Sequence, residues 1–370
     1  MRGLYIHIPF CKKICSYCDF PKMVSSQNRI DLYFNKLLDE IDYYNNYLND
    51  IDTVFIGGGT PNSVSINNLE LLFNKIKPIL DKSIENTIEL NPELINDESL
   101  ILLKKFNFNR LSIGVQTINN DLLKIINRDH NKELIIKKIN LIKKYNFNNI
   151  NLDFIFGIPN ENLNDLDNDL NFILSLNIPH ISFYNLILEE KTILYHKVEK
   201  NEIKMPLDDL DADMYYHIVD ILEKNGYKHY ETSNFAKNGY ESKHNLKYWN
   251  SEEYIGIGLG ASGYLNNVRY DNHKLYKNYL NKFIEDKITL SIQDKKSEYF
   301  ILGLRKCDGV SLNKYKKLFN SDPFIDFNLD KLIDEDICEI NNDYFRIKKD
   351  KLFISNEALI EFIGDNNEEK

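Results

Sequence analysis

Cysteine is scarce in this chain: five residues in 370, with three of them inside one stretch of eight. That scarcity excludes a disulfide framework, which needs dense cysteine pairing in a short, oxidised, secreted chain. The N-terminus reads as lacking a secretory leader, because charged Arg2 runs directly into a strand-like segment. No apolar run approaches the length that spans a bilayer, and no amphipathic anchor stands out. Net positive charge is lacking too: the formal charge is −10, which argues against non-specific nucleic-acid binding. The glycine-rich turn at residues 57–61 is neither a P-loop nor a GxGxxG turn, and there is no repeat of solenoid period. Tryptophan occurs once, at Trp249. Against these absences, 43% hydrophobic and 12% aromatic residues suit a packed globular protein. The abundant Asn, Lys and Ile reflect nucleotide bias, so little function is read from the charge balance. A cytoplasmic location is expected, where free thiols survive.

The three clustered cysteines are Cys11, Cys15 and Cys18, spaced C-x3-C-x2-C in the run Tyr5-Ile-His-Ile-Pro-Phe-Cys-Lys-Lys-Ile-Cys-Ser-Tyr-Cys-Asp-Phe20. An iron–sulfur cubane normally takes four cysteines, so three leave one iron open to a small ligand. A zinc site would ask for a fourth soft ligand, and His7, alternating to the side of Tyr5, is the local candidate. Cys307 and Cys338 lie far away in sequence and read as ordinary residues. The spacing resembles the signature of the radical S-adenosylmethionine (radical SAM) superfamily. That resemblance implies a [4Fe-4S] cluster on the three cysteines and SAM on the open iron.

Residues 4–8, 53–56, 87–90, 110–115, 151–156 and 180–186 read as strands, separated by helical stretches such as 30–48 and 134–145. Six strand–helix units predict a parallel sheet with right-handed crossovers. Each strand ends in something chemically special, as in barrels that collect ligand groups at the C-terminal ends of their strands, so a partial (βα)6 TIM-like barrel is expected over an open sheet. The expected division is residues 1–190 for the barrel, 191–290 for an extension and 291–370 for a small winged-helix-like α+β tail. Within the extension, 208–225 reads as a helix and 229–234 and 254–259 as strand-like. A linker is expected around 286–294. In the tail, helices are expected at 295–305, 312–319 and 327–336, then strands at 345–347 and 352–354 around a charged turn, and a last helix. The tail offers no helix with a clear basic face, so DNA binding is not expected of it.

The turn Gly57-Gly58-Gly59-Thr60-Pro61 follows a strand and turns backbone N–H groups toward a ligand. Glu89 ends the third strand, Gln116 the fourth, and Asp153 lies in the fifth; Arg128 follows in Asn-Arg-Asp-His. Singly, each could be an ordinary capping or surface residue. Around one barrel mouth they could bind an adenosyl ligand, with carboxylates for hydroxyl and amino groups and the arginine for a carboxylate.

Tyr-x-His-Ile-Pro-Phe-Cys, Gly-Gly-Gly-Thr-Pro, Arg-Leu-Ser-Ile-Gly-Val-Gln and Asp-Phe-Ile-Phe-Gly-Ile-Pro together resemble the coproporphyrinogen III dehydrogenase (HemN-like) branch of that superfamily. The resemblance implies SAM contacts from Tyr5, Tyr17, Gly58, Gly59, Thr60, Glu89, Gln116, Arg128 and Asp153. Two features depart from the dehydrogenase. Phe20 stands where a further cysteine is expected, and the Tyr-x-His motif begins at residue 5 without the extension expected ahead of it. His244-Asn-Leu-Lys-Tyr-Trp249 instead matches the HNxxYW signature of the HemW-type heme-chaperone subfamily. That implies heme as cargo, with His244 as a candidate axial ligand and Tyr248 and Trp249 as stacking residues. The same residues are equally what a packed segment over a barrel mouth would contain, with His244 merely hydrogen-bonded. The function expected is a heme chaperone that uses a cluster and SAM and hands heme to a heme-dependent protein, such as a respiratory membrane enzyme. The alternative is oxygen-independent oxidative decarboxylation of coproporphyrinogen III.

Overall fold

The structure is a computed structural model that describes residues 1–363. Its first six strands are β1 (Arg2–Ile8), β2 (Ile51–Gly58), β3 (Glu85–Leu90), β4 (Arg110–Gln116), β5 (Asn149–Phe156) and β6 (His180–Asn185). They pair in that order, all parallel. Alternation along each strand explains why they curl around a lumen. Outward positions are apolar and buried under the helices: Leu4 and Ile6, Val54 and Ile56, Leu111 and Ile113, Leu152 and Phe154. The alternate positions are polar or small: Thr53 and Gly57, Glu85 and Glu89, Arg110 and Ser112, Asn151 and Asp153, His180 and Ser182. A doubly wound sheet would be apolar on both faces; here one face of every strand is chemically equipped. The partial (βα)6 barrel is therefore the observed fold.

Six further strands are added at the two edges: β7 (Lys228–Glu231), β8 (Asn234–Ala236), β9 (Tyr254–Ile257), β10 (Ser262–Leu265), β11 (Val268–Asn272) and β12 (Ile284–Thr289). The order across the sheet is β12-β11-β10-β9-β1-β2-β3-β4-β5-β6-β8-β7. β9 is parallel to β1, and the other additions are antiparallel. The linker expected around 286–294 is thus corrected: β12 takes up 286–289 and the Ile292–Gly303 helix takes up 292–294, leaving only Leu290 and Ser291 between them. Only Ile284 of β12 is buried, so this edge strand carries the exposed, charged composition of a linker. The expected 30–48 helix ends at Tyr43 and tightens into a 3₁₀ turn over Asn45–Asp50, where paired asparagines disfavour continuation.

The tail has helices Ile292–Gly303, Leu312–Phe319 and Leu329–Asp334 and a three-stranded sheet built from β13 (Val310–Ser311), β14 (Cys338–Asn341) and β15 (Tyr344–Ile347). Its hairpin joins β14 to β15 through Asn342, whose φ of 56° suits asparagine. The strand expected at 352–354 is instead a 3₁₀ turn, Lys349–Ile354, with Leu352 plugged into the core. The last expected helix is present as Ser355–Ile360. Residues 364–370, the end of the expected tail segment, lie outside the described residues. One apolar cluster runs from the barrel helices into Phe300, Tyr315 and Phe362 of the tail.

Five buried carboxyls set the pH response of this fold. Desolvation pushes Glu40, Asp169 and Glu231 up to about 7, and Glu89 and Glu161 up to about 8. A carboxyl raised in the folded state holds its proton more tightly there, so its stabilisation is complete below the ordinary carboxylate range and lost as pH climbs through 7–8. Burial drives His7 and His229 down to about 4 and His244 to about 3. Those terms cost stability only as pH falls below the ordinary histidine value, near ~6.5. From pH 6.5 to 8.5 the raised carboxyls, joined toward the upper end by the raised Cys11 and Cys18 thiols, all act in one direction, so the melting temperature of metal-free protein should fall across that interval. Thermal unfolding at pH 6.5, 7.5 and 8.5 checks this; a flat or rising trend contradicts it.

Candidate functional site

A cavity of about 460 Å³ opens at the C-terminal ends of the parallel strands. Cys11, Cys15 and Cys18 all line it, together with Tyr17, Gly58, Gly59, Thr60, Glu89, Gln116, Arg128 and Asp153. Eleven sequence-predicted positions from five strand–loop units therefore meet in one place. Tyr5 does not reach the cavity wall. It lies one layer deeper, its hydroxyl 2.9 Å from His7 Nδ1.

The cysteine loop has little regular structure but is tied along its length. Cys11 N–H donates to Met23 O (3.0 Å) and Met23 N–H to Pro9 O (2.7 Å). Ser16 bonds Ile125 O and Ile126 O, and Asn127 Nδ2 donates to Ile14 O (2.7 Å). His7 Nε2 lies 2.8 Å from Pro21 O, closing the loop onto β1. Since Pro21 offers only an acceptor there, Nε2 carries the proton and Nδ1 accepts from Tyr5. His7, weighed from sequence only as a metal ligand, is thus a clamp on the loop. Burial raises the Cys11 and Cys18 thiols, Cys18 to about 11, with Thr60 opposing at Cys11 and Lys22 at Cys18. The Thr60 hydroxyl lies 3.5 Å from Cys11 Sγ, and Arg128 Nη1 lies 3.8 Å from Cys15 Sγ.

Each glycine of the turn admits a different partner. A Cβ on Gly57 would stand 2.8 Å from the Glu89 carboxyl. On Gly58, whose φ is +113°, it would stand 2.5 Å from the His7 ring. On Gly59 it would meet Pro9 backbone at 2.8 Å and Cys11 Sγ at 3.0 Å. The three bare positions let an acid, a clamp and a thiol converge, and Gly58 N–H donates to Glu89 Oε2 (3.0 Å).

Glu89 is driven up first by desolvation and then by Asp153 across the lumen. Asp153 is raised by burial despite accepting from Ser112 Oγ (2.9 Å) and Asn151 Nδ2 (2.7 Å). A cationic group seated between them would draw both back to carboxylates. Arg128 donates through Nη2 to Gly114 O (2.5 Å), while its Nε–H is buried with no protein partner. That orphaned donor fits a ligand carboxylate. Three thiols, an unpaired guanidinium N–H and two acids at raised pKa form a donor set that fits a cluster-bound amino acid. Phe20, noted from sequence for the thiol it replaces, also lines the cavity, as do Tyr184, Leu186 and Ile187, which were not singled out by sequence. Tyr184 continues the 180, 182, 184 lumen alternation, a signal that could have found it.

The structure does not bring the HNxxYW residues to this mouth. They form the short Lys243–Trp249 helix at the opposite end of the barrel, against the first residues of β1, β2 and β3. A Cβ on Gly3 would lie 3.0 Å from His244 Cε1, and Glu85 accepts from the N–H groups of Lys243 (3.0 Å) and His244 (2.9 Å). His244 is fully buried, its Nδ1 2.9 Å from Thr53 Oγ1 and its Nε2 2.8 Å from Tyr248 OH. Both ring nitrogens of His244 are engaged here, which matches the hydrogen-bonded reading of this residue and leaves neither nitrogen free for heme in this arrangement. Trp249 turns to the tail, with Arg305 stacked 5.5 Å from its ring centre.

A six-stranded partial barrel with this cysteine loop after its first strand is a protein of the radical SAM class, and the Radical SAM superfamily description matches residues 5–173. The HemN C-terminal domain description matches residues 290–350. The chain is 41% identical to heme chaperone HemW of Lactococcus lactis over 92% of its length and 89% of the relative's, and 39% identical to that of Bacillus subtilis over 86% and 87%. It belongs to the HemW family. Among solved structures, the coproporphyrinogen III oxidase HemN of Escherichia coli superposes with a TM-score of 0.84 at 21% identity, over 97% of this chain and 89% of that one, a likeness of fold.

Proposed function

We propose that this protein is a radical-SAM-type heme chaperone that holds heme at the cavity mouth and delivers it to a heme-dependent acceptor such as a respiratory membrane enzyme. Cys11, Cys15 and Cys18 would hold a [4Fe-4S] cluster, which when bound supplies an electron for SAM chemistry. Arg128 Nε would orient the SAM carboxylate, and Gly58, Gly59 and Thr60 would bring backbone close to its amino-acid end. Glu89 and Asp153 would receive cationic and hydroxyl groups, with Gln116 and Tyr17 along the wall and Tyr5 supporting through His7.

The observation that carries the cargo reading is the rim. Phe20 is 62% exposed and Ile187 69%, both at the mouth of a cavity whose floor is polar. Large apolar side chains in that position suit a flat apolar ligand such as a porphyrin, and phenylalanine at position 20 leaves the rim without a further thiol. Titrating anaerobically reconstituted protein with hemin should give a saturable Soret shift. Phe20→Ala should weaken binding by roughly three- to tenfold, as expected for losing one aromatic stacking contact. A wild-type protein with no saturable Soret change contradicts the chaperone reading; an unaltered affinity in Phe20→Ala contradicts the placement at the rim.

A further inference from the structure

The HNxxYW helix takes no part in the cavity wall, yet its buried side chains lead there. Rings line up from it toward the cysteine loop: Tyr248 to His244 (5.2 Å between centres), His244 to Phe55 (5.4 Å), Phe55 to Tyr5 (6.1 Å) and Tyr5 to His7 (6.0 Å). Polar contacts run along the same column. Thr53 Oγ1 meets His244 Nδ1 on the strand that ends in the glycine turn, and His7 closes the cysteine loop through Pro21 O. Tyr5 shares the lumen with Glu89, and Tyr248 feels Tyr5 and Glu89 after burial and Tyr254. The helix is fixed from below: Glu85 caps its first N–H groups, and Lys247 pairs with Asp52 at 2.9 Å. Gly3 is bare where the imidazole lies.

We infer that His244 and Tyr248 are positioning residues forming the floor under the cofactor cavity, and that heme iron is ligated elsewhere. This rests on the proposed SAM and heme binding. The imidazole bridges two hydroxyls, that of the fully buried Thr53 and that of the half-buried Tyr248, and it supports Phe55, which backs Tyr5. Removing it leaves Thr53 and Tyr248 unpaired and a void beneath the ring column, so Tyr5, His7 and the glycine turn lose their support. A ligand role would leave SAM untouched and strip heme; a floor role does the reverse.

The test uses full-length, anaerobically reconstituted wild type, His244→Ala and the milder Tyr248→Phe, which keeps the ring packing and should fold even if the first does not. SAM affinity is read from the change in the reduced cluster's electron paramagnetic resonance (EPR) spectrum, and hemin affinity from the Soret band. The expected result is SAM weakened on the order of tenfold in His244→Ala and several-fold in Tyr248→Phe, the loss that follows from stranding buried hydroxyls. Hemin affinity and Soret position should stay within twofold of wild type. Unchanged SAM affinity in Tyr248→Phe, or hemin binding lost with SAM binding intact, overturns the inference. A wild type that binds no hemin would instead count against the chaperone reading and leave the SAM comparison to decide this one.

Discussion

Replacing Gly58 with alanine should destabilise the protein and sharply weaken its response to SAM. Two independent costs coincide at this position. The backbone sits at φ +113°, where an L side chain is strained, at ~1–3 kcal/mol. The new Cβ would also stand 2.5 Å from His7 Cε1. His7 cannot swing away, because Nε2 bonds Pro21 O and Nδ1 bonds Tyr5 OH. Overpacking of this kind adds about 1–3 kcal/mol. A melting temperature lowered by roughly 5–10 °C is expected from such a sum. Moving His7 frees the cysteine loop, and tilting the turn breaks the Gly58 N–H bond to Glu89, so SAM affinity should fall by about two orders of magnitude on the usual conversion of a few kcal/mol. Differential scanning calorimetry and SAM titration of the variant measure both. A melting point within a degree of wild type together with unaltered SAM affinity would contradict the role assigned to the turn.

The second large effect is expected at Cys15. Its thiol lines the cavity beside Arg128, and no other cysteine lies on that wall besides Cys11 and Cys18 among the described residues. Two cysteines cannot anchor a cubane that already lacks its fourth. Cys15→Ala should therefore drop iron from about four per chain to well below one after reconstitution, with loss of the brown absorbance. Cys307→Ser is the control, because Cys307 sits by Glu231 and the tail, outside the cavity, and should keep full iron. Full iron retained in Cys15→Ala would remove that cysteine from the ligand set.

Much of the barrel was legible because two faces of each strand demand different chemistry. Leu-Tyr-Ile-His-Ile and Asn-Leu-Asp-Phe-Ile alternate apolar and functional residues, and that period of two places each strand, its lumen side and its equipped end. The cysteine spacing and the glycine turn were equally local signals, and they landed on one cavity. What was missed depends on long-range placement. Nothing in residues 243–249 says which end of the barrel the helix plugs, so a packed segment over the mouth was as far as the sequence reading could place it, when Gly3, Thr53 and Glu85 hold His244 at the far end. Along β1 the two ends are separated by about 17 Å, five residues at the strand rise. β12 read as a linker because an edge strand exposes nearly everything it carries, and the tail hairpin was misplaced because Leu352 is an apolar plug without a strand around it. His7 escaped attention as a clamp because its partner is a backbone oxygen, which has no sequence signature.

The claim on which the rest stands is that three cysteines hold a cluster with one iron free for SAM, beside Arg128 and the glycine turn. Anaerobically reconstituted wild-type protein, reduced with dithionite and examined by EPR with and without SAM, tests it most directly. A paramagnetic cluster signal that changes shape on adding SAM is the predicted result; no signal, or one indifferent to SAM, would contradict it.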